Sequence, residues 1–320
     1  MLRVLRTRDG GLQEVDAADP NWVLPKDAAW IDLNNPNRQE ELIAERVLGV
    51  PLPTREEMAE IEVSSRLYQE DGATFMTAFV LIGADDKAPS LAPLTFVLAG
   101  GRLITIRYVE PRAFNAYVAQ AGRDPDFCLS GVGAFLGLLD ALVDRIADIL
   151  EKTSADVEDI SGEIFDPARK GGFKPILRKL GRSQSIAAKA RSSLVSLARL
   201  ASFASLSADV SDGKEHRDRL RSLQRDVQSL TDHSAYLTEN VTFLLDSATG
   251  LINTDQNEIM KVFSVWAVVL MPPTLIGSVY GMNFDHMPEL RWVGGYPLAL
   301  LMMVASMAIP LWWLRRKGWL

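Results

Sequence analysis

At 320 residues the chain is long enough for one or two buried cores together with a membrane anchor. Its formal charge of −7, with no dominant basic face, excludes a nucleic-acid binder. A single cysteine, Cys128, excludes an intrachain disulfide framework and fits a reducing compartment for the soluble part.

Near-neutral hydropathy hides a partition, because charge fills the first four-fifths of the chain and the last sixty or so residues are strongly apolar. Met1–Gly10 has neither an apolar h-region nor a small-residue cleavage site, so the bulk of the protein is expected in the cytoplasm. Residues 1–128 mix strand-like runs at Leu2–Arg6, Ala29–Leu33, Ala73–Ile82, Leu94–Leu98 and Leu103–Tyr108 with helical stretches at Arg38–Leu48 and Thr54–Ile61. Thr54 followed by Glu57 reads as a capping box. These elements predict a cytoplasmic α/β domain with a mixed sheet flanked by helices, whose strand order the pattern does not fix.

From residue 129 to 261 the strand signals disappear, and a helical stalk is expected. Leu136, Leu139, Ala141, Leu142, Ile146 and Ile149 form one apolar stripe. Gly171-Gly172 and Pro175 mark a turn, and a second helix covers roughly 176–203. A third begins near Lys214 and continues without proline into the apolar end; about 60 residues of helix would extend roughly 90 Å. Asp156, Glu158, Asp159, Glu163 and Asp166 form an acidic cluster, readable as a solvated face or as an attractor of cations.

Residues 262–280 and 296–314 are each uncharged and long enough to span a bilayer core. The 281–295 loop between them makes a membrane hairpin. Lys261 before the first span and Arg315, Arg316 and Lys317 in the 315–320 tail place both flanks in the cytoplasm and the loop outside. Trp292, Tyr296, Trp312 and Trp313 stand where interfacial aromatics belong.

Alternating steps of four and three from Asp246 give Gly250, Asn253, Asn257, Met260, Ser264, Ala267, Met271, Thr274 and Ser278. That is a heptad seam, the spacing at which parallel helices face one another. Its content is small or polar apart from two methionines, whereas Val262, Phe263, Val265, Trp266, Val269 and Leu270 occupy the other faces. Close packing of membrane helices explains Gly250, Ala267 and Ser278. A ring of copies around a wet axis explains the whole stripe, including Asp246, Asn253 and Asn257, and two helices per chain require such a ring. Met260 and Met271 read either as constrictions that close by dewetting or as flexible packing residues.

After the first span comes Tyr280-Gly281-Met282-Asn283-Phe284, then Asp285 through Leu290. Rings of neutral Asn283 oxygens suit magnesium, which keeps its water: Asn283 would hold the ion through its hydrating waters. Asp285 and Glu289 would concentrate cations outside. Gly281-Met282-Asn283 at the end of the penultimate membrane helix resembles the signature of the CorA magnesium transporter family. The likeness continues over Asn257–Lys261, Met271–Thr274, Gly295–Pro297 and Lys317–Leu320, and more weakly over Leu52–Glu57 and Ile61–Tyr68.

This resemblance implies a homopentameric funnel in the bacterial inner membrane, passive flow of hydrated magnesium with cobalt and nickel as secondary substrates, and Gly281, Met282 and Asn283 as the selectivity loop. It implies pore positions at Asn257, Met260, Ser264, Met271, Thr274 and Ser278, and an acidic pore mouth at Asp246. It also implies intracellular magnesium as regulator, with Asp226 only a loose candidate ligand. No phosphate-binding loop or catalytic triad is present, and neither an enzyme nor a cofactor is expected. Two alternatives stay open: a zinc transporter of the ZntB type, against which stand only three histidines (His216, His233, His286), and a membrane-tethered sensor without transport.

Overall fold

The computed structural model describes residues 1–6, 12–15, 24–25, 28–60, 62, 64–85, 88–121, 130–166, 171–282, 287–288 and 292–319. Two compact units divide them, Met1–Leu245 and Asp246–Leu320.

In the first unit, seven strands form one sheet: β1 (Leu2–Arg6), β2 (Leu12–Val15), β3 (Ala28–Asn34), β4 (Leu67–Glu70), β5 (Ala73–Ile82), β6 (Ser90–Ala99) and β7 (Arg102–Arg107). Their order is β2-β1-β3-β7-β6-β5-β4. Only β3 and β7 run parallel, so the expected mixed sheet is present. Two tight hairpins set the register at one end. Asp71-Gly72 (φ +44° and +80°) joins β4 to β5, and Gly100-Gly101 (φ +57° and +76°) joins β6 to β7. Two successive residues at positive φ match the twist of the strands they connect. Pro93 lies inside β6, beyond the last β7 partner at Leu94, where no ladder bond is lost.

Helices cover both faces of the sheet. α1 (Arg38–Leu48) and α2 (Arg55–Met58) lie on one side, over Ile31, Leu33, Phe75, Val97, Ile104 and Ile106. Both start with capping boxes: Asn37 with Glu40, and Thr54 with Glu57 as the sequence predicts. On the opposite face lie α3 (Arg112–Ala121), α4 (Gly131–Phe165) and α5 (Lys174–Ala204). α4 buries Leu136, Leu139, Val143, Ile146, Leu150, Val157 and Ile164 at helical spacing. Trp30 meets Phe114 and Tyr117 edge to face at 5.5 and 5.9 Å. Such contacts add about 0.5–1.5 kcal/mol each to the burial itself. α4 starts so close to β7 that a Cβ on Gly131 would sit 2.5 Å from the Gly101 carbonyl oxygen and the Leu103 amide nitrogen. Ser196 of α5 accepts from the Phe79 amide at 2.9 Å, occupying a β5 donor beyond the end of β4.

One buried ion pair stands in this core. Asp32 and Arg107, both 0% exposed, form two parallel bonds of 2.9 and 3.0 Å. Thr105 donates to Asp32 at 2.9 Å, Trp30 donates to Thr105 at 3.0 Å, and Arg107 also donates to the Val109 carbonyl at 3.0 Å. Every partner comes from the same face of β3 and β7 or the turn that follows, so the pair is satisfied as a unit.

After the short α6 (Ala208–Ser211), α7 runs from Lys214 to Tyr280, 67 residues, contributing to both units in sequence. Its first half buries Leu220, Leu223, Val227, Leu237, Val241 and Leu244. α8 (Gly295–Arg316) completes the chain, with Pro310 inside it and Arg315 and Arg316 in its last turn. α7 and α8 are each long and apolar enough to cross a membrane, so both expected spans are helices.

Candidate functional site

In the unit Asp246–Leu320, the least exposed position of the α7 span is Val269, flanked by half-buried Val265, Pro272, Pro273, Ile276 and Gly277. A Cβ built on Gly277 would lie 3.4 Å from the Met303 methyl group of α8, so this is the side turned toward the second span. Each residue turns a helix by about 100°, which puts Met260, Ser264, Ala267, Met271, Thr274 and Ser278 within about 40° of the opposite direction. All six are exposed, as are Asp246, Gly250, Asn253 and Asn257. The expected stripe is therefore one continuous edge that the chain's own second helix leaves uncovered.

The polar groups on this edge fall into two kinds. Ser264 donates its hydroxyl proton to the Met260 carbonyl at 2.8 Å, and Thr274 to the Leu270 carbonyl at 2.7 Å. Each hydroxyl has one proton and two lone pairs, so both oxygens now present lone pairs alone. Asp246, Asn253 and Asn257 have no protein hydrogen-bond partner among the described residues. They offer their carboxylate and amide groups to solvent.

α7 ends at the expected loop. The Gly281 amide bonds the Gly277 carbonyl at 2.9 Å and the Met282 amide the Val279 carbonyl at 3.3 Å, so these two residues continue the last turn. A Cβ on Gly281 would approach the Gly277 carbonyl oxygen to 3.0 Å, a tight contact. The helix C-terminus carries about half a negative elementary charge, favourable to a cation at this turn. Asn283, Asp285 and Glu289 lie outside the described residues.

The acidic cluster of the first unit belongs to α4. Asp156, Glu158, Asp159 and Asp166 are exposed on or at the end of α4, and the half-buried Glu163 pairs with Lys179 at 2.9 Å. Asp226 on α7 stands near Asp140 and Asp144 of α4. Burial pushes the Asp140 carboxyl up, Arg219 at 2.5 Å opposes the shift, and Asp144 and Asp226 add to it. No group of three or more His, Cys, Asp or Glu among the described residues could hold a metal.

Sequence reasoning missed the commitment of the hydroxyl protons. Ser264 and Thr274 four residues after a span carbonyl are themselves the signal, because a lipid-embedded hydroxyl turns to its own backbone.

Known proteins resemble the chain over its length. Residues 25–316 match the model of the CorA-like Mg2+ transporter protein family. The chain is 34% identical over 321 residues, all of both chains, to the magnesium transport protein CorA of Sodalis glossinidius. The complete CorA magnesium transporter structure from Methanocaldococcus jannaschii superposes with a TM-score of 0.77 at 19% identity, covering 100% of this chain and 99% of that one. The ZntB cytoplasmic domain from Vibrio parahaemolyticus shares the fold at a TM-score of 0.58 and 12% identity, over 80% of this chain and 98% of its own. A sheet domain followed by two membrane-length helices with Gly281-Met282 at their turn, and identity sustained from end to end, place this chain in the CorA-like Mg2+ transporter family.

Proposed function

We propose that identical copies of this chain, five in number as the family resemblance implies, form a channel in the bacterial inner membrane. Hydrated Mg2+ moves inward through it, with Co2+ and Ni2+ as lesser substrates, and both termini lie in the cytoplasm. One observation carries this reading: the small and polar edge of α7, from Asp246 to Ser278, faces away from α8 and is uncovered in the single chain. Polar groups exposed to acyl chains are costly, so this edge belongs against water or another copy of itself.

In such a ring Asn283 contacts the ion through its hydrating waters, and Asp285 and Glu289 gather cations outside. Asn257, Asn253 and Asp246 line the inner exit. Neutral oxygens engage the hydration shell without stripping it, which lets the ion leave as readily as it enters. The membrane potential drives the flow, at about 2.3 kcal/mol per charge per 100 mV, hence about 4.6 for a divalent ion. Intracellular magnesium acts as regulator in this reading.

Magnesium uptake into proteoliposomes, native chain against Asn283→Ala, tests the proposal: the substitution abolishes selective uptake. Unchanged uptake in the variant overturns the assignment of the loop, and no uptake by the native chain favours a tethered sensor. The shared fold with a ZntB domain supports a second reading, zinc transport. Zinc outcompeting magnesium in the same vesicles would decide for it.

A further inference from the structure

α7 and α8 leave a cavity of about 500 Å3 between them at the end of the spans that bears Lys261 and Trp319. Val265, Val269 and Leu270 wall it on one side, Met307 and Leu311 on the other. The volume falls within the roughly 300–1,000 Å3 of sites that hold small organic ligands. Its polar lining is confined to the mouth, where Lys261 and Glu258 stand one turn apart. Arg315, Arg316 and Lys317 follow at the end of α8, with Arg316 stacked 5.4 Å over Trp312 and Lys317 5.2 Å over Trp313. Four cations thus gather at this end of the hairpin, against Glu258 and Asp255 on α7. An apolar slot with Lys261 and Glu258 at its mouth, beside the three cations that end α8, has the form that an anionic lipid headgroup with its acyl chain recognises.

The groove lies on the Val269 side of α7, opposite the polar edge. Resting on the transport reading, which turns that edge to the ring axis, the groove opens outward to the bilayer. We propose that it holds one acyl chain of an anionic phospholipid whose phosphate is bound by the Lys261 ammonium. The chain lies along Val265, Val269 and Leu311, and Trp319 closes the mouth beside the headgroup.

The test is native mass spectrometry of the full-length assembly in detergent, titrated with phosphatidylglycerol or with phosphatidylcholine of identical acyl chains. The expected result is retention of phosphatidylglycerol over phosphatidylcholine by about fivefold or more. Lys261→Gln removes the preference, and Val265→Phe, which fills the slot, lowers retention of both lipids. Equal retention of the two lipids, or undiminished retention in both variants, overturns the proposal. Displacement of phosphatidylglycerol by inorganic phosphate alone also overturns it, by reducing the site to an anion contact without a chain groove. Magnesium flux through the native chain in phosphatidylcholine vesicles is read separately. Flux without lipid preference sinks the groove alone, and lipid preference without flux sinks the channel alone.

Discussion

At the centre of the sheet in the unit Met1–Leu245, polar side chains are buried and paired with one another, whereas along the α7 edge of Asp246–Leu320 they stand exposed. Asp32, Arg107, Thr105 and Trp30 form a closed set at the centre of the sheet, with four bonds of 2.9–3.0 Å. The hydroxyls of Ser264 and Thr274 are satisfied within one helix turn, and Asn253 and Asn257 have no partner among the described residues. The first arrangement fixes strands β3 and β7 in register; the second leaves binding capacity unspent. The Asp32–Arg107 set is thus a stability element, and the α7 edge is, in the proposed channel, a surface for water or ions.

This contrast predicts which substitutions unfold the chain and which only alter transport. Asp32→Ala leaves the Arg107 guanidinium buried without its counter-ion and should cost about 3–5 kcal/mol. Denaturant unfolding of the detergent-solubilised chain measures it, and a loss below about 1 kcal/mol would break the contrast at its strongest point. Gly131→Ala forces a methyl group against the backbone where the β6–β7 turn enters β7, 2.5 Å from the Gly101 carbonyl oxygen and the Leu103 amide nitrogen. Overpacking of this kind costs about 1–3 kcal/mol, read in the same unfolding curves. Thr274→Val keeps the shape of the side chain and removes its oxygen. Magnesium flux should fall at least about tenfold, since every copy in the proposed ring would lose an acceptor, while the unfolding midpoint stays in place. Equal damage to folding and flux would erase the distinction between the two units.

The smallest expected effect sharpens the comparison from the soluble side. Burial holds the Asp140 carboxyl above the ordinary aspartate value of 3.8, so the folded chain binds this proton more tightly than the unfolded chain. The group therefore favours folding most at low pH, and its contribution declines as pH rises through the shifted value. Asp144 and Asp226 strengthen the shift and Arg219 opposes it. Melting temperatures of native and Asp140→Asn chains between pH 4 and 7 should show a shallower decline in the variant. Parallel slopes would mean that Asp140 sits as it would in water.

The sequence made the long elements plain and the short ones obscure. β5 and α4 carry enough apolar repeats to be read directly, and the Thr54–Glu57 box announced its helix. β4 has only four residues, two of them exposed, and periodicity passes over it. Asp71-Gly72 beside it was the available signal, because that dipeptide closes two-residue hairpins. α3 was missed too, although Pro111 precedes a helix that buries Ala113, Phe114, Tyr117 and Ala121 on one side. Strand order was illegible because the β3–β7 pairing joins residues about seventy positions apart, and alternation along a strand says nothing of its neighbour. For the candidate site, heptad stepping from Asp246 follows one exposed edge, since one regular helix makes it. The hydroxyl orientations and the groove between the spans depend on atomic placement that a repeat cannot convey.

The direction of two hydroxyl protons bears on the sign of the ion. Water around a cation points its hydrogens outward and asks its surroundings for lone pairs; water around an anion does the reverse. Because Ser264 and Thr274 have already given their hydrogens to their own backbone, a collar of such oxygens in the proposed channel would accept from the shell of a metal ion and have nothing to give a chloride. Discrimination by charge in the proposed channel would then need no charged side chain within the bilayer, and its passage would avoid the tight grip that a ring of carboxylates would exert on a divalent ion.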